Sequence, residues 1–351
     1  MYNSLIRKLN NTYFLLYSYL SGRYFVSEYS KIKSLHGRGN EGIEELSINP
    51  DEYNTIRNSS VNPDLLPVDI LTAPIVTGIM VTNRCNLMCK YCIARNAQSY
   101  SHTDVFAYYH NKLLTDIAKS GVMSVLLSGG EPTLCPNLSN IIDSISDHRY
   151  VCMLDTNGSL LSDKLVSAIK NNRIIPRISL DSIHHEINDY CRGCTDSVLR
   201  GIHSLIQYNV IPRINTVLTA ANYDSIDELA RWLIHNGINK WHIFKLQTAF
   251  APNNLWLTDD QFIEKINFLR ATYGNKIEII SKYGQEKDKF ASFVIDSEGN
   301  CFSTNNLIPG QSHKVIFGNI QNQSLMDIWS SAPDEYKKRH YKKYVYYLEK
   351  P

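Results

Sequence analysis

Cys85, Cys89 and Cys92 stand at x3 and x2 spacing directly after the apolar run Ile75-Val76-Thr77-Gly78-Ile79-Met80-Val81. A strand that ends in a thiol-rich loop is a place to build a metal centre. No fourth ligand follows in register, so the three do not form one face of a helix. They can instead curl around an iron–sulfur cluster and leave one iron without a protein ligand. An open iron is a chemical site rather than a passive electron carrier. A zinc site with His102 as fourth ligand is the competing use of the same thiols.

One βα unit later comes Ser128-Gly129-Gly130-Glu131-Pro132, closing the apolar run Ser124–Ser128. Two glycines let a backbone approach a ligand with no side chain in the way, and the adjacent carboxylate can receive an ammonium group. Alone, Gly-Gly-Glu-Pro is a turn. Following the cysteine loop by one unit, it is a second half of a site.

Together these stretches resemble the radical S-adenosylmethionine superfamily, whose cluster motif is Cys-x3-Cys-x2-Cys with an aromatic, here Tyr91, before the third cysteine. The resemblance implies one [4Fe–4S] cluster on Cys85, Cys89 and Cys92, with S-adenosyl-L-methionine chelating the fourth iron. Gly129, Gly130 and Glu131 would orient the cofactor's methionine end. One electron into the sulfonium would release methionine and a 5′-deoxyadenosyl radical that takes hydrogen from a substrate. The likeness runs from about Ile75 to Leu246. Asn157 lies in Thr156-Asn157-Gly158, similar to the family's TNG turn. Ser179, in Ser179-Leu180-Asp181-Ser182, sits where relatives bind the cofactor's ribose or carboxylate. Arg200, in Val198-Leu199-Arg200-Gly201, is a candidate for the methionine carboxylate. Without the family, Asp181 reads as a cap, and Arg192 and Arg200 as surface ion-pair formers. No catalytic acid, base or nucleophile is assigned.

The elements that must position these residues alternate. Apolar runs at Ile75–Thr82, Ser124–Ser128, Val151–Asp155, Arg177–Asp181, Arg213–Thr219 and Lys240–Leu246 are separated by segments of helical periodicity. Strand then helix, repeated, means a parallel sheet with right-handed crossovers. Six units are too few for a closed eight-stranded barrel and leave a partly open barrel or a doubly wound sheet, either with ligands at the carboxyl ends of its strands. The family resemblance implies the first, an α/β fold with a partial (β/α)6 TIM-like barrel over residues 75–250. Residues 1–74 are expected to form a small N-terminal module: an aromatic hairpin split by Ser21-Gly22, then a polar linker with one small helix near Pro50 to Arg57. After Leu246 the alternation is expected to stop, leaving a small α+β extension over 251–331 and a basic aromatic tail over 332–351.

The extension resembles the SPASM/twitch segment of peptide-modifying members of the superfamily, through Gly318-Asn319-Ile320 and Ser324-Leu325-Met326-Asp327-Ile328-Trp329. No cysteine follows Cys301, so the shape is expected without an auxiliary cluster, which needs several thiolates. The N-terminal hairpin is similar to one that precedes the barrel in the same enzymes. It either offers an edge to an extended peptide or covers one mouth of the barrel. Cys191-Arg192-Gly193-Cys194 could hold half of another metal site, Lys245 is either a substrate contact or a snorkelling stem, and the tail reads as a solvated helix end.

Composition narrows the partners. The chain has 351 residues, 43% hydrophobic and 20% charged, with a formal net charge of +2. That suits a folded protein with no obligatory polyanionic partner, so nucleic acid is not expected despite the tail. Eight cysteines in a long chain without a leader pattern predict reduced thiols in the cytoplasm, and no apolar run is long enough to span a membrane. The leading expectation is a radical enzyme acting on a ribosomally made peptide, served by an electron donor such as flavodoxin or ferredoxin. The alternatives are a radical enzyme acting on a nucleotide, RNA or cofactor precursor, and a non-catalytic iron–sulfur or zinc protein.

Overall fold

The computed structural model describes residues 1–39, 42–93, 106–145, 150–248, 251–282, 292–308 and 311–345. His102, and the predicted helix ends at Asp104 and Asp147, lie outside these.

The N-terminal hairpin is part of a larger sheet. Strands β1 (Tyr2–Lys8), β2 (Tyr13–Ser18), β3 (Arg23–Glu28) and β4 (Ile43–Ile48) form an antiparallel sheet in the order β3-β2-β1-β4. The expected polar linker therefore supplies a strand, and after it helix α1 (Pro50–Asn58). Asn49 starts that helix in a capping box with Glu52 and with proline at the first turn. Alternate residues of the sheet face two cores. Ile6, Phe14, Leu16 and Phe25 pack with Ile56 of α1, while Leu5, Leu15, Tyr17 and Val26 join the main core.

The main sheet has ten strands in the order β11-β10-β9-β8-β7-β6-β5-β12-β13-β14. Its parallel part begins with β5 (Val76–Met80), β6 (Ser124–Ser128), β7 (Val151–Thr156), β8 (Ile175–Ser179), β9 (Arg213–Leu218) and β10 (Lys240–Lys245). These are the six expected strands. The crossovers carry α2 (Phe106–Ser120), α3 (Leu138–Asp143), α4 (Asp163–Asn171), α5 (His185–Cys191), α6 (Thr195–Gln207) and α7 (Ile226–His235). The alternation does not stop at Leu246. Helix α8 (Asp259–Tyr273), started by a Thr258–Gln261 capping box, leads to β11 (Glu278–Lys282), which pairs in parallel with β10. On the other side β12 (Phe293–Ile295) pairs in parallel with β5 and turns back into the antiparallel pair β13 (Asn300–Ile308) and β14 (Gln311–Asn319). The C-terminal extension thus continues the barrel sheet at both edges. Cys301 is fully buried in the main core.

The strands show which face the helices cover. Ile79, Val125, Leu127, Leu154, Ile178, Ile214, Trp241 and Ile243 are fully buried against helix residues such as Ile117, Ile169, Ile202 and Leu229. Their alternates, Met80, Ser128, Asp155, Arg177, Ser179, Val217 and Phe244, are only partly buried. One face is helix-covered and the other is a partly open inner face, as in a barrel with its interior accessible.

The amino ends of these strands are closed. Tyr24 of β3 donates to Ser124 Oγ at the start of β6, Arg7 donates to Gly121 O, and Lys240 at the start of β10 reaches Leu20 O (3.5 Å). From the C-terminus, helices α9 (Leu325–Ser331) and α10 (Asp334–Tyr344) pack at the same end. Trp329 Nε1 donates to Leu71 O (2.6 Å), Tyr341 Oη donates to Ala73 O (3.0 Å) and His340 Nε2 accepts from Ile75 N (2.9 Å). The tail is therefore not a solvated helix end. Tyr336, His340 and Tyr341 are buried, and Lys342 pairs with Asp64 (2.6 Å).

Candidate active site

At the carboxyl ends of β5 to β10 the loops converge on Cys85–Cys92. The first half of the cysteine loop is gripped by the loops after β6 and β7. Gly130 N donates to Thr82 O (2.8 Å) and Glu131 N to Arg84 O (2.7 Å). A Cβ on Gly129 would stand 2.3 Å from Thr82 O, and one on Gly130 2.1 Å from Arg84 O. Here glycine is required because backbone meets backbone, and Gly129 also has φ +145°. The glycines thus seat the cysteine loop itself. Asn157 Nδ2 donates to Asn86 Oδ1 (2.8 Å), and Asn86 Nδ2 donates to Ser159 Oγ (3.0 Å).

Glu131 is 1% exposed, and its carboxylate is occupied by the protein. Oε1 accepts from Thr133 N (3.1 Å), Thr133 Oγ1 (2.7 Å) and Thr156 Oγ1 (2.5 Å), and Oε2 accepts from Asn157 N (2.7 Å). Four neutral donors hold this buried carboxylate. Glu131 ties the Gly-Gly turn to the TNG turn, a role the expectation of an ammonium contact did not include.

The second half of the loop rests on α5 and the end of β8. Lys90 N donates to Cys191 O (3.0 Å), the Lys90 ammonium lies 3.0 Å from the Tyr190 ring centroid, and Cys89 Sγ is 4.0 Å from Arg192 O. Tyr91 donates its hydroxyl to Asp181 Oδ2. Asp181 is fully buried and neither caps a helix nor faces solvent. Its Oδ1 accepts from Val217 N (2.8 Å), and Arg192 Nε lies 3.0 Å from Oδ2, off the line of a hydrogen bond, as an ion pair. The Arg192 guanidinium also sits 5.3 Å from the Tyr91 ring centroid. Burial raises the Asp181 pKa, with Arg192 pulling the other way. Burial opposes the Arg192 charge, but Asp181 and Cys89 outweigh it and leave its pKa raised.

The remaining candidates are placed unevenly. Ser179 is half-buried at the end of β8 on the inner face. It lies in ladder register with Asn215 of β9, which is in register with His242 of β10, so these three side chains share that face. Asn215 Oδ1 is buried without a hydrogen-bond partner among the described residues. Sequence reasoning passed over Asn215 and His242, although a polar residue at every second position of an apolar strand was their signal. Arg200 is exposed on α6 and donates to Ser197 Oγ (2.9 Å). Lys245 pairs with Asp259 at the start of α8. Cys191 is buried with Tyr91, Leu246 and Leu255, while Cys194 is exposed.

The three loop thiols suit a cluster. Cys85 is exposed and Cys89 and Cys92 are half-buried. Burial raises the Cys85 pKa and pushes Cys89 up to about 11, and Cys92 adds to both, so the three sulfurs feel one another. Leu87 N points at Cys85 Sγ (3.4 Å), as amides do around cluster sulfurs. Among the described residues no three His, Cys, Asp or Glu are gathered tightly enough for a single ion. Soft thiols spread along one loop fit an iron–sulfur group with one iron left open.

Residues 79–233 match the family model described as the radical SAM superfamily. An uncharacterized protein of Methanocaldococcus jannaschii is 32% identical over 224 residues, 60% of this chain and 76% of that protein. The chain belongs to the radical SAM superfamily. A GTP 3′,8-cyclase of Clostridium perfringens is 31% identical over 196 residues, 54% of this chain and 60% of the cyclase. Among solved structures, Streptococcus suis SuiB bound to S-adenosylmethionine superposes with a TM-score of 0.72 at 18% identity, covering 96% of this chain and 89% of SuiB. That likeness shows the fold, and it takes in both ends of the chain as well as the barrel. The chain is a radical SAM enzyme of α/β architecture, and no helix among its described residues is long and apolar enough to cross a membrane.

Proposed function

We propose that this enzyme reductively cleaves S-adenosylmethionine and uses the resulting radical to take hydrogen from a ribosomally synthesised peptide. The observation that carries the chemistry is the cysteine loop, held on both sides at the carboxyl mouth of a parallel sheet. Cys85, Cys89 and Cys92 would hold a [4Fe–4S] cluster. When bound, the cluster and cofactor supply reductive C–S cleavage to methionine and a 5′-deoxyadenosyl radical. The chain's own residues do the rest. The Gly129–Glu131 turn fixes the loop's first half and the cofactor's methionine end, while Ser179 and Asn157 offer polar atoms at the neighbouring strand ends. Arg200 stands further out on α6 as a carboxylate partner. The inner face keeps the radical's surroundings away from bulk water.

The peptide reading is supported by the reach of the structural likeness. SuiB, also solved bound to the precursor peptide SuiA, covers 93% of this chain in that form, N-terminal module and extension included. A second reading, a nucleotide or cofactor precursor as substrate, is favoured by relatives named GTP 3′,8-cyclase and AdoMet-dependent heme synthase. An electron donor such as flavodoxin or ferredoxin would reduce the cluster, and free cysteines support a cytoplasmic protein.

Anaerobic reconstitution with dithionite and S-adenosylmethionine tests the chemistry. About four irons per chain and formation of 5′-deoxyadenosine are expected. Zinc in place of iron, with no nucleoside product, would overturn it. Isotope transfer from a labelled peptide into 5′-deoxyadenosine, against transfer from GTP or a porphyrin precursor, decides the substrate class.

A further inference from the structure

Two buried carboxylates back the cysteine loop, and they are compensated differently. Glu131, behind the first half, is held by neutral N–H and O–H donors. Asp181, behind the second half, faces the Arg192 guanidinium at 3.0 Å. An arginine keeps its charge in any protein environment; this one is 12% exposed, its guanidinium lies 5.3 Å from the ring of Tyr91, the residue before Cys92, and its charge is felt at Cys89. Left alone, that cation would sit beside a cluster ligand in a poorly hydrated place, where charges act strongly. A positive charge near an iron–sulfur group favours its reduced form and raises its potential. An enzyme that must push an electron into a sulfonium needs the opposite.

We propose that Asp181 is a positioning residue that neutralises Arg192 beside the cluster and anchors Tyr91, keeping the iron–sulfur group strongly reducing and the second half of its loop in place. The inference rests on the cluster reading above. Asp181 is suited to both tasks because its two oxygens are divided. Oδ1 is fixed by Val217 N at the end of β9, and Oδ2 receives both the Tyr91 hydroxyl and the Arg192 charge. Its backbone is fixed as well: Asp181 N donates to Asn188 Oδ1 (3.0 Å), and its carbonyl accepts from Asn222 Nδ2 (3.0 Å). The carboxylate is fully buried and turned toward these partners rather than solvent.

The test is an EPR-monitored redox titration of the reconstituted full chain, with iron analysis of every sample. Asp181→Asn leaves Arg192 unneutralised, and its cluster midpoint should move to higher potential while iron content stays at the wild-type level. The double variant Asp181→Asn/Arg192→Gln restores a neutral pair, and its midpoint should return toward wild type. A merely structural role would make the double variant worse than the single one. Tyr91→Phe changes no charge; its midpoint should stay near wild type, while a chelator should strip its iron several-fold faster. An iron-loaded Asp181→Asn protein at the wild-type midpoint, or a double variant shifted as far as the single one, would overturn the electrostatic role. A Tyr91→Phe protein that keeps its iron as long as wild type would overturn the anchoring role. Should Asp181→Asn fail to fold, Tyr91→Phe and Arg192→Gln still read the two roles separately. Failure of the cluster reading looks different, since wild type itself would then give no cluster signal.

Discussion

At the carboxyl end of the sheet, Cys85 is exposed and Cys89 and Cys92 are half-buried. At the amino end, His340 and Tyr341 of α10 are fully buried, alongside the N-terminal sheet. The same strands connect the two ends. The open end is held by backbone hydrogen bonds and two carboxylates, which leave the sulfur atoms and the inner face accessible. The closed end uses side chains that bridge distant segments: Arg7 from the first strand donates to Tyr341 Oη (3.0 Å), and Tyr341 to Ala73 O. The candidate site lies at one mouth, and the side-chain bridges between distant segments lie at the other. The N-terminal module lies at the closed end, so it covers a mouth of the barrel. Any peptide held along β4, the outermost strand of that sheet among the described residues, would have to span the height of the sheet to reach the cysteines, about 17 Å for a five-residue strand.

The separation can be broken from either side. The largest effect expected is from Cys89→Ser, which should abolish cofactor cleavage and deplete iron while leaving the urea midpoint of the apoprotein near wild type. A comparable fall in stability would mean that the thiols also hold the fold. Next comes pH. Burial pushes the Tyr29 and Tyr344 hydroxyls up to about 12, with Glu44 adding to the first. Their folded pKa values are raised, so the folded chain keeps these protons longer than the unfolded chain does. Their contribution is intact below about pH 10 and is lost as pH climbs toward about 12. Tyrosinate absorbance and proteolysis together should show the N-terminal module and tail releasing first over that range; simultaneous loss of the whole sheet would argue against two distinct ends. Tyr341→Phe should cost about 1–3 kcal/mol in a denaturant titration, because it strands Ala73 O and one Arg7 N–H, with 5′-deoxyadenosine yield per iron-loaded chain unchanged. The smallest effect belongs to Arg200→Ala. As an exposed carboxylate partner whose charge is screened by solvent, Arg200 should contribute only about twofold or less to S-adenosylmethionine affinity, and a tenfold loss by calorimetry would mean that its contact is a buried, direct one.

Local features were legible in the sequence. The six barrel strands fall where short apolar runs end in Cys85, Glu131, Asn157 and Ser179, because strand period and turn chemistry are written within a few residues. β11 was missed although Ile277 and Ile279 to Ile280 are apolar; as an edge strand it carries no motif to mark it. β4 was lost in a polar stretch because only Ile43, on one face, and Leu46 and Ile48, on the other, are buried. Asp181 illustrates the limit. Its neighbour Ser179 attracted the functional reading, while its partner Tyr91 lies 90 residues away.

By itself the sequence determined that three thiols share a loop, that a Gly-Gly-Glu turn follows one unit later, and that both lie at strand ends, since all of this depends on residue order alone. Only the tertiary structure decided what the carboxylates do and which end is closed. Glu131 is spent on Thr133, Thr156 and Asn157, Asp181 on Tyr91, Arg192 and Val217, and His340 on the backbone of Ile75, 265 residues earlier. Buried polar atoms must find partners within hydrogen-bonding reach, and folding, not spacing along the chain, sets which atoms those are.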